Sequence, residues 1–129
     1  MPNSAPGFKS RPDYRVDLVP ESRRVRVDFG GVTIADSSAA LRVEETGHAP
    51  VYYVPEKDMR LDLLHRTDHH TRCPYKGEAS YWTIEVPDSG GVRRSENAVW
   101  GYPTPYDEVA DIAGYYSFYP NRVDSMTVE

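Results

Sequence analysis

The sequence predicts a mostly β protein, two antiparallel sheets of short strands with one or two short helices, and three observations carry that prediction. Apolar residues recur at every second position in several short runs, notably Val25, Val27 and Phe29, then Leu41 and Val43, then Trp82, Ile84 and Val86. That is the period of a strand with its side chains on alternating faces. Turn-forming clusters punctuate these runs, among them Gly30-Gly31, Asp36-Ser37-Ser38 and Pro87-Asp88-Ser89-Gly90-Gly91. Helical signals are confined to two stretches, residues 56–65 and 104–114.

Residues 1–12 hold Pro2, Pro6, Gly7 and Pro12 among small polar residues, a composition suited to a flexible N-terminal arm, so the single β-rich domain is expected over 13–129. Val16 and Leu18 open the first strand, and Pro20-Glu21-Ser22 turns it toward a second at residues 25–29. Gly30 and Gly31 then join Phe29 to Val32 as a tight hairpin, since a two-residue turn of the favoured hand needs positive φ. Leu41 and Val43 share one face of the next strand, and Arg42 and Glu44 pair on the other. Val51-Tyr52-Tyr53-Val54 is an aromatic strand that Pro55 ends. Met59 and Leu63, four apart, with Asp58 before them and His65 after, suit one or two helical turns.

Cys73-Pro74 disfavours helix, and Gly77 permits a turn, so residues 73–77 form a bent loop feeding a core strand from Glu78. Trp100-Gly101-Tyr102-Pro103 continues the strand that approaches Trp100 as a stiff aromatic wall. Thr104-Pro105 reads as a helix N-cap with proline at the first helical position, Gly114 as the stop, and Tyr116 and Phe118 as one face of a closing strand. A short polar tail follows from Asn121.

At 129 residues the chain has room for one core, and its net charge of −5 with a pI near 5.3 opposes a general nucleic-acid binder. The single cysteine excludes an internal disulfide framework and a four-cysteine zinc site. With no apolar run of spanning length and no secretory segment, a cytoplasmic, non-membrane protein is expected.

The chemistry-bearing residues concentrate in Thr71-x-Cys73-Pro74-Tyr75-Lys76-Gly77-x-Ala79-x-Tyr81. This block resembles the signature of a bacterial family catalogued as domain of unknown function 427, sometimes labelled a nucleotidyltransferase. Val51-Tyr52-Tyr53-Val54-Pro55 with Asp58 resembles that family's Tyr-x-Pro-x-x-Asp segment, and Ala98-Val99-Trp100-Gly101-Tyr102-Pro103 its Ala-Trp-x-Tyr-Pro block. Ala113-Gly114 and Phe118-Tyr119-Pro120 resemble its closing strand. The likeness covers roughly residues 24–123 and implies a β-tent-like fold, shared with several zinc-binding and small-ligand-binding domains.

Three functional readings follow. In the first, a small ligand, with an anionic group held by Lys76, sits in an aromatic pocket of Tyr53, Thr71, Tyr75, Tyr81, Trp100 and Tyr102. In the second, implied by the family label, the chain transfers nucleotidyl groups, although the Asp-x-Asp pattern that clamps Mg²⁺ does not occur and only Asp58 with Asp62, or Asp107 with Asp111, stand in for it. In the third, an exposed aromatic sheet face serves a protein partner or a homodimer. The candidate catalytic groups are Cys73, Lys76 and Asp58. His65, His69 and Cys73 fall four apart, as metal ligands on a helix would, but Pro74 argues against that helix, His70 would have to supply a fourth ligand, and no metal is assigned. No cofactor is identified by sequence.

Overall fold

The computed structural model describes residues 3–129. Its strands, in chain order, are β1 (Val16–Glu21), β2 (Val25–Phe29), β3 (Val32–Ser37), β4 (Ala40–Glu45), β5 (Val51–Pro55), β6 (Leu64–Cys73), β7 (Gly77–Asp88), β8 (Gly91–Gly101), β9 (Tyr115–Phe118) and β10 (Ser125–Val128). A four-residue helix, α1 (Gly7–Ser10), precedes them. A seven-stranded sheet runs β1-β4-β5-β9-β8-β7-β6 and a three-stranded sheet runs β10-β2-β3, all pairings antiparallel.

Strand alternation sorts the side chains of the large sheet onto two buried faces. Val54, Ile84, Val86, Val99 and Phe118 point toward the small sheet and pack on Val25, Val27, Phe29 and Ile34. Tyr53, Ala79, Tyr81 and Val43 occupy the opposite face, covered by Tyr102, Val109 and Ile112. The central strand β7 therefore serves both cores, with Ile84 and Val86 on one side and Ala79 and Tyr81 on the other. Trp82 is half-buried against the first core rather than at its centre. Each fully buried Val, Ile or Phe side chain contributes about 1.5–3 kcal/mol of transfer free energy, so both faces matter to stability.

Several local expectations hold. Gly30 (φ +60°) and Gly31 (φ +77°) make the hairpin between β2 and β3, and residues 88–91 close that between β7 and β8. Arg42 Nε donates to Glu44 Oε2 at 3.2 Å on the exposed side of β4.

Others are corrected. β1 and β2 are consecutive but lie in different sheets. The chain crosses over at the buried Glu21, whose carboxylate accepts from the Arg23 amide at 3.0 Å and from the Arg23 and Arg42 guanidinium groups at 2.7 and 2.9 Å. Residues 56–65 do hold two helical turns, Glu56–Asp58 and Leu61–Leu63, but these are 3₁₀ turns and they give way to β6, because Leu64 pairs with Ile84 and His65 with Thr83. Sheet pairing overrides the weak local spacing. The second expected helix is a 3₁₀ segment, Asp107–Ile112, entered from Tyr106 without a side-chain cap and broken at Val109 (φ −129°). Thr104 and Pro105 lie before it. The polar tail ends in β10, which pairs with β2 and completes the small sheet.

The expected N-terminal arm is packed where it is described, and its first two residues lie outside the described residues. Ala5 and Gly7 are buried, the Gly7 amide donates to the Pro74 carbonyl at 2.9 Å, and the Asn3 amide donates to Asp107 Oδ2 at 2.7 Å.

Candidate functional site

Lys76 sits in the turn between β6 and β7, and the turn is fixed from three sides. Gly77, at φ +121°, adopts a backbone conformation that L side chains rarely take, and a Cβ there would lie 3.3 Å from the Thr104 carbonyl oxygen. The Lys76 carbonyl accepts from the Tyr106 amide at 3.0 Å. Tyr75 is clamped, stacking on Tyr14 at 3.9 Å between ring centres and meeting the edge of Phe8 at 5.1 Å. With the turn held, the Lys76 side chain is driven inward and is 9% exposed.

There its ammonium donates to the Glu45 carboxylate. Glu45 is the last residue of β4, on the same face as Leu41 and Val43, so alternation carries a carboxylate into the second core. Its other oxygen accepts from the Tyr14 hydroxyl at 2.5 Å. Burial works to raise the Glu45 carboxyl, but the Lys76 ammonium and the Tyr14 hydroxyl outweigh it and hold the group below the usual carboxylate range. The Tyr14 hydroxyl is pushed up in turn, by burial and then by the carboxylate it bonds.

The pair opens onto a cavity of about 260 Å³ lined by Val43, Glu45, His48, Val51, Tyr53, Lys76, Tyr81, Trp100, Tyr102 and Tyr119. Five of the residues expected to bind ligand meet here: Tyr53, Lys76, Tyr81, Trp100 and Tyr102. Thr71 and Tyr75 do not line it. Thr71 bonds the Tyr81 hydroxyl at 2.8 Å and so orients a wall residue, while Tyr75 belongs to the clamp outside. Cys73 is half-buried against the second core beside the wall. Asp58 is remote, accepting from the Ser37 hydroxyl at 2.6 Å. Sequence reasoning missed Glu45, although a carboxylate two residues beyond Leu41 and Val43 on an apolar face was a visible signal. It also missed His48, exposed at the rim, and Tyr119.

Hydrogen-bond donors dominate the cavity. Among the described residues Glu45 is the one acceptor bonded to the Lys76 ammonium, which leaves two of an ammonium's three protons for other partners. The Tyr53 hydroxyl accepts from Trp100 Nε1 at 3.2 Å and keeps its own proton to give, and the Tyr102 hydroxyl makes no hydrogen bond to the described residues. Burial raises both Tyr53 and Tyr102 well above the usual phenol value, so both remain protonated donors at neutral pH. Burial, and then the neighbouring Tyr81 hydroxyl, pushes Tyr119 up to about 12.

The histidines do not gather around Cys73. His65 Nε2 lies 3.1 Å from Glu85, His70 Nδ1 lies 3.8 Å from Glu78, and the His69 ring packs on Tyr81 at 4.5 Å. They sit along β6, where a register shift between Arg66 and His70 breaks the regular spacing. Among the described residues no three His, Cys, Asp or Glu side chains form a group able to hold a metal ion, and no helix is long and apolar enough to cross a membrane.

Fold and cavity together define a small β protein of two antiparallel sheets whose larger sheet carries a buried ammonium–carboxylate pair in an aromatic cavity. Residues 17–129 match the model of the family described as Domain of unknown function (DUF427), and the chain belongs to that family. No curated protein matches the chain.

Proposed function

We propose that the domain binds a small molecule in this cavity through an oxyanion, most simply a carboxylate, held by Lys76 and the tyrosine hydroxyls. The observation that carries this reading is the ammonium itself: nearly buried, aimed into a cavity, and bonded to a single carboxylate oxygen. Buried charged groups ordinarily complete their hydrogen bonds, and Tyr53 and Tyr102 line the same cavity as the ammonium. Glu45 balances the charge of the lysine in the empty site. An arriving oxyanion takes the two remaining protons rather than displacing Glu45.

The alternatives have less support. Nucleotidyl transfer, suggested by the family's short label, needs carboxylates that converge on a metal. Here Asp58 is bonded to Ser37, Asp62 pairs with Arg60 at 2.9 Å, Asp107 accepts from the Asn3 amide, and none of them lines the cavity. An interaction module would expose a broad apolar face, yet among the described residues the large hydrophobics left exposed are Leu61 and Val92, neither of them aromatic.

A thermal-shift and calorimetric screen of wild type and Tyr102→Phe against short carboxylates, amino acids, sugar phosphates and nucleotides with and without Mg²⁺ tests the reading. The expected result is stabilisation by an oxyanion independent of Mg²⁺, weakened about tenfold or more in Tyr102→Phe by loss of one hydrogen bond to a charged group. Stabilisation only by a nucleotide with Mg²⁺ would favour transfer chemistry, and no response to any oxyanion would refute the proposal.

A further inference from the structure

The large sheet is split beside this cavity. β5 pairs with β4 through Val51, Tyr52 and Tyr53, but with β9 only through Val54 and Pro55, opposite Tyr116 and Tyr115. β9 meanwhile stays paired to β8 through Phe118. From Tyr53 back to Val51 the backbone ladder between them stops, and the Ser117 hydroxyl, donating to the Tyr52 carbonyl at 2.8 Å, joins the two strands in its place.

A second cavity of about 260 Å³ opens on the other face of the sheet at this split. Its character is opposite to the first: Pro50, Tyr52, Phe118, Pro120, Met126 and Val128 line it, and no charged side chain does. Val51 and Trp100 belong to the walls of both cavities, so the two are neighbours at the split. Each volume falls below the ~300–1,000 Å³ of ordinary small-molecule sites, and the two together fall within it. The side chains of β10, which the small sheet supplies, close the apolar half.

We propose that the two cavities are one amphipathic site, in which a carboxylate head sits at Lys76 and an apolar body of medium length passes between Val51 and Trp100, beyond the Ser117–Tyr52 bridge, to lie against Phe118, Met126 and Val128. This rests on the reading of the Lys76 cavity and adds the class of ligand: medium-chain carboxylates rather than small polar acids. The polar half explains the head. The apolar half explains where the body leaves water.

The test is a calorimetric series of unbranched alkyl carboxylates from acetate to decanoate. Burial of each methylene is worth up to about fourfold in affinity, so binding is expected to climb about two- to fourfold per methylene over the middle of the series and then level off. In Lys76→Met affinity falls at every length. Met126→Glu lowers the gain per methylene, and Val128→Thr, a near-isosteric change that spares β10, lowers it less. A flat series in wild type, or a climb that Met126→Glu and Val128→Thr leave intact, overturns the amphipathic site while binding of the short acids keeps the Lys76 reading. If no member of the series binds wild type, both fall.

Discussion

Replacing Lys76 by methionine keeps the length and most of the volume of the side chain and removes the charge, leaving Glu45 buried beside a thioether. The Lys76 and Glu45 side chains are 9% and 15% exposed, so water screens the orphaned carboxylate poorly. Breaking one partner of a buried pair costs about 3–5 kcal/mol. The lower end applies here, because the Tyr14 hydroxyl stays bonded to Glu45. About 3 kcal/mol corresponds to a fall in melting temperature of about 9–15 °C for a domain of this size. Urea unfolding at pH 7 and again near pH 4 provides the assay.

The sign with pH is fixed by the carboxyl. In wild type Glu45 titrates below its unfolded value, so the stability it contributes is complete above the ordinary carboxylate range, near pH 4–5, and is lost as pH falls through the folded value. In Lys76→Met the stabilising ammonium is gone, and protonation relieves the stranded charge. The two unfolding free energies therefore converge on acidification. Glu45→Gln in the Lys76→Met background recovers part of the loss at pH 7. A Lys76→Met protein within about 0.5 kcal/mol of wild type at pH 7, or a deficit unchanged at pH 4, would refute the reasoning, because either would mean that the pair is solvated.

Three further outcomes are expected. The hydrogen bonds from Arg23, and then from Arg42, hold Glu21 at about 2, so wild type loses the stability this group contributes as pH falls from about 4.3 toward 2, and Glu21→Gln flattens that limb of the acid-unfolding curve. Phe118→Ala removes a ring that is 1% exposed between the two sheets and lowers stability by about 3–5 kcal/mol in urea unfolding; a loss under about 1 kcal/mol would mean that the sheets do not share that core. In Gly7→Ala the new Cβ would lie 2.6 Å from the Tyr75 ring and 2.9 Å from the Pro74 carbonyl, so the segment around Gly7–Ser10 undocks and limited proteolysis cuts it faster than in wild type.

The fold was most legible where one strand carries its own pattern. Phe29-Gly30-Gly31-Val32 announced a hairpin, and the alternation through Ile84 and Val86 announced a core strand, because period and turn chemistry are local properties. What lay beyond the sequence was partnership. The register of Leu64 on Ile84 starts β6 directly after Leu63, where an apparent helical spacing ran on to His65, and β10 acquires its identity only from β2. The site followed the same division. The aromatic wall could be read from Tyr53, Tyr81, Trp100 and Tyr102. The ion pair could not, because Lys76 and Glu45 are 31 residues apart and meet only when β4 and the β6–β7 turn are both in place. Tyr75 was misplaced for a related reason: next to Lys76 in the chain, it spends its ring on Tyr14 and Phe8, from elements distant in sequence, and not on the cavity.

The chain has two tryptophans, and they report on the two faces of the large sheet separately. The Trp100 indole N–H bonds the Tyr53 hydroxyl in the cavity wall, whereas Trp82 packs edge-on to Tyr116 and beneath Arg66. Titrating ¹⁵N-labelled protein with hexanoate and following the two indole cross-peaks tests the cavity most directly. The account predicts that the Trp100 peak moves saturably while the Trp82 peak stays, and that Lys76→Met abolishes the movement. A stationary Trp100 peak, or equal movement of both, would contradict it.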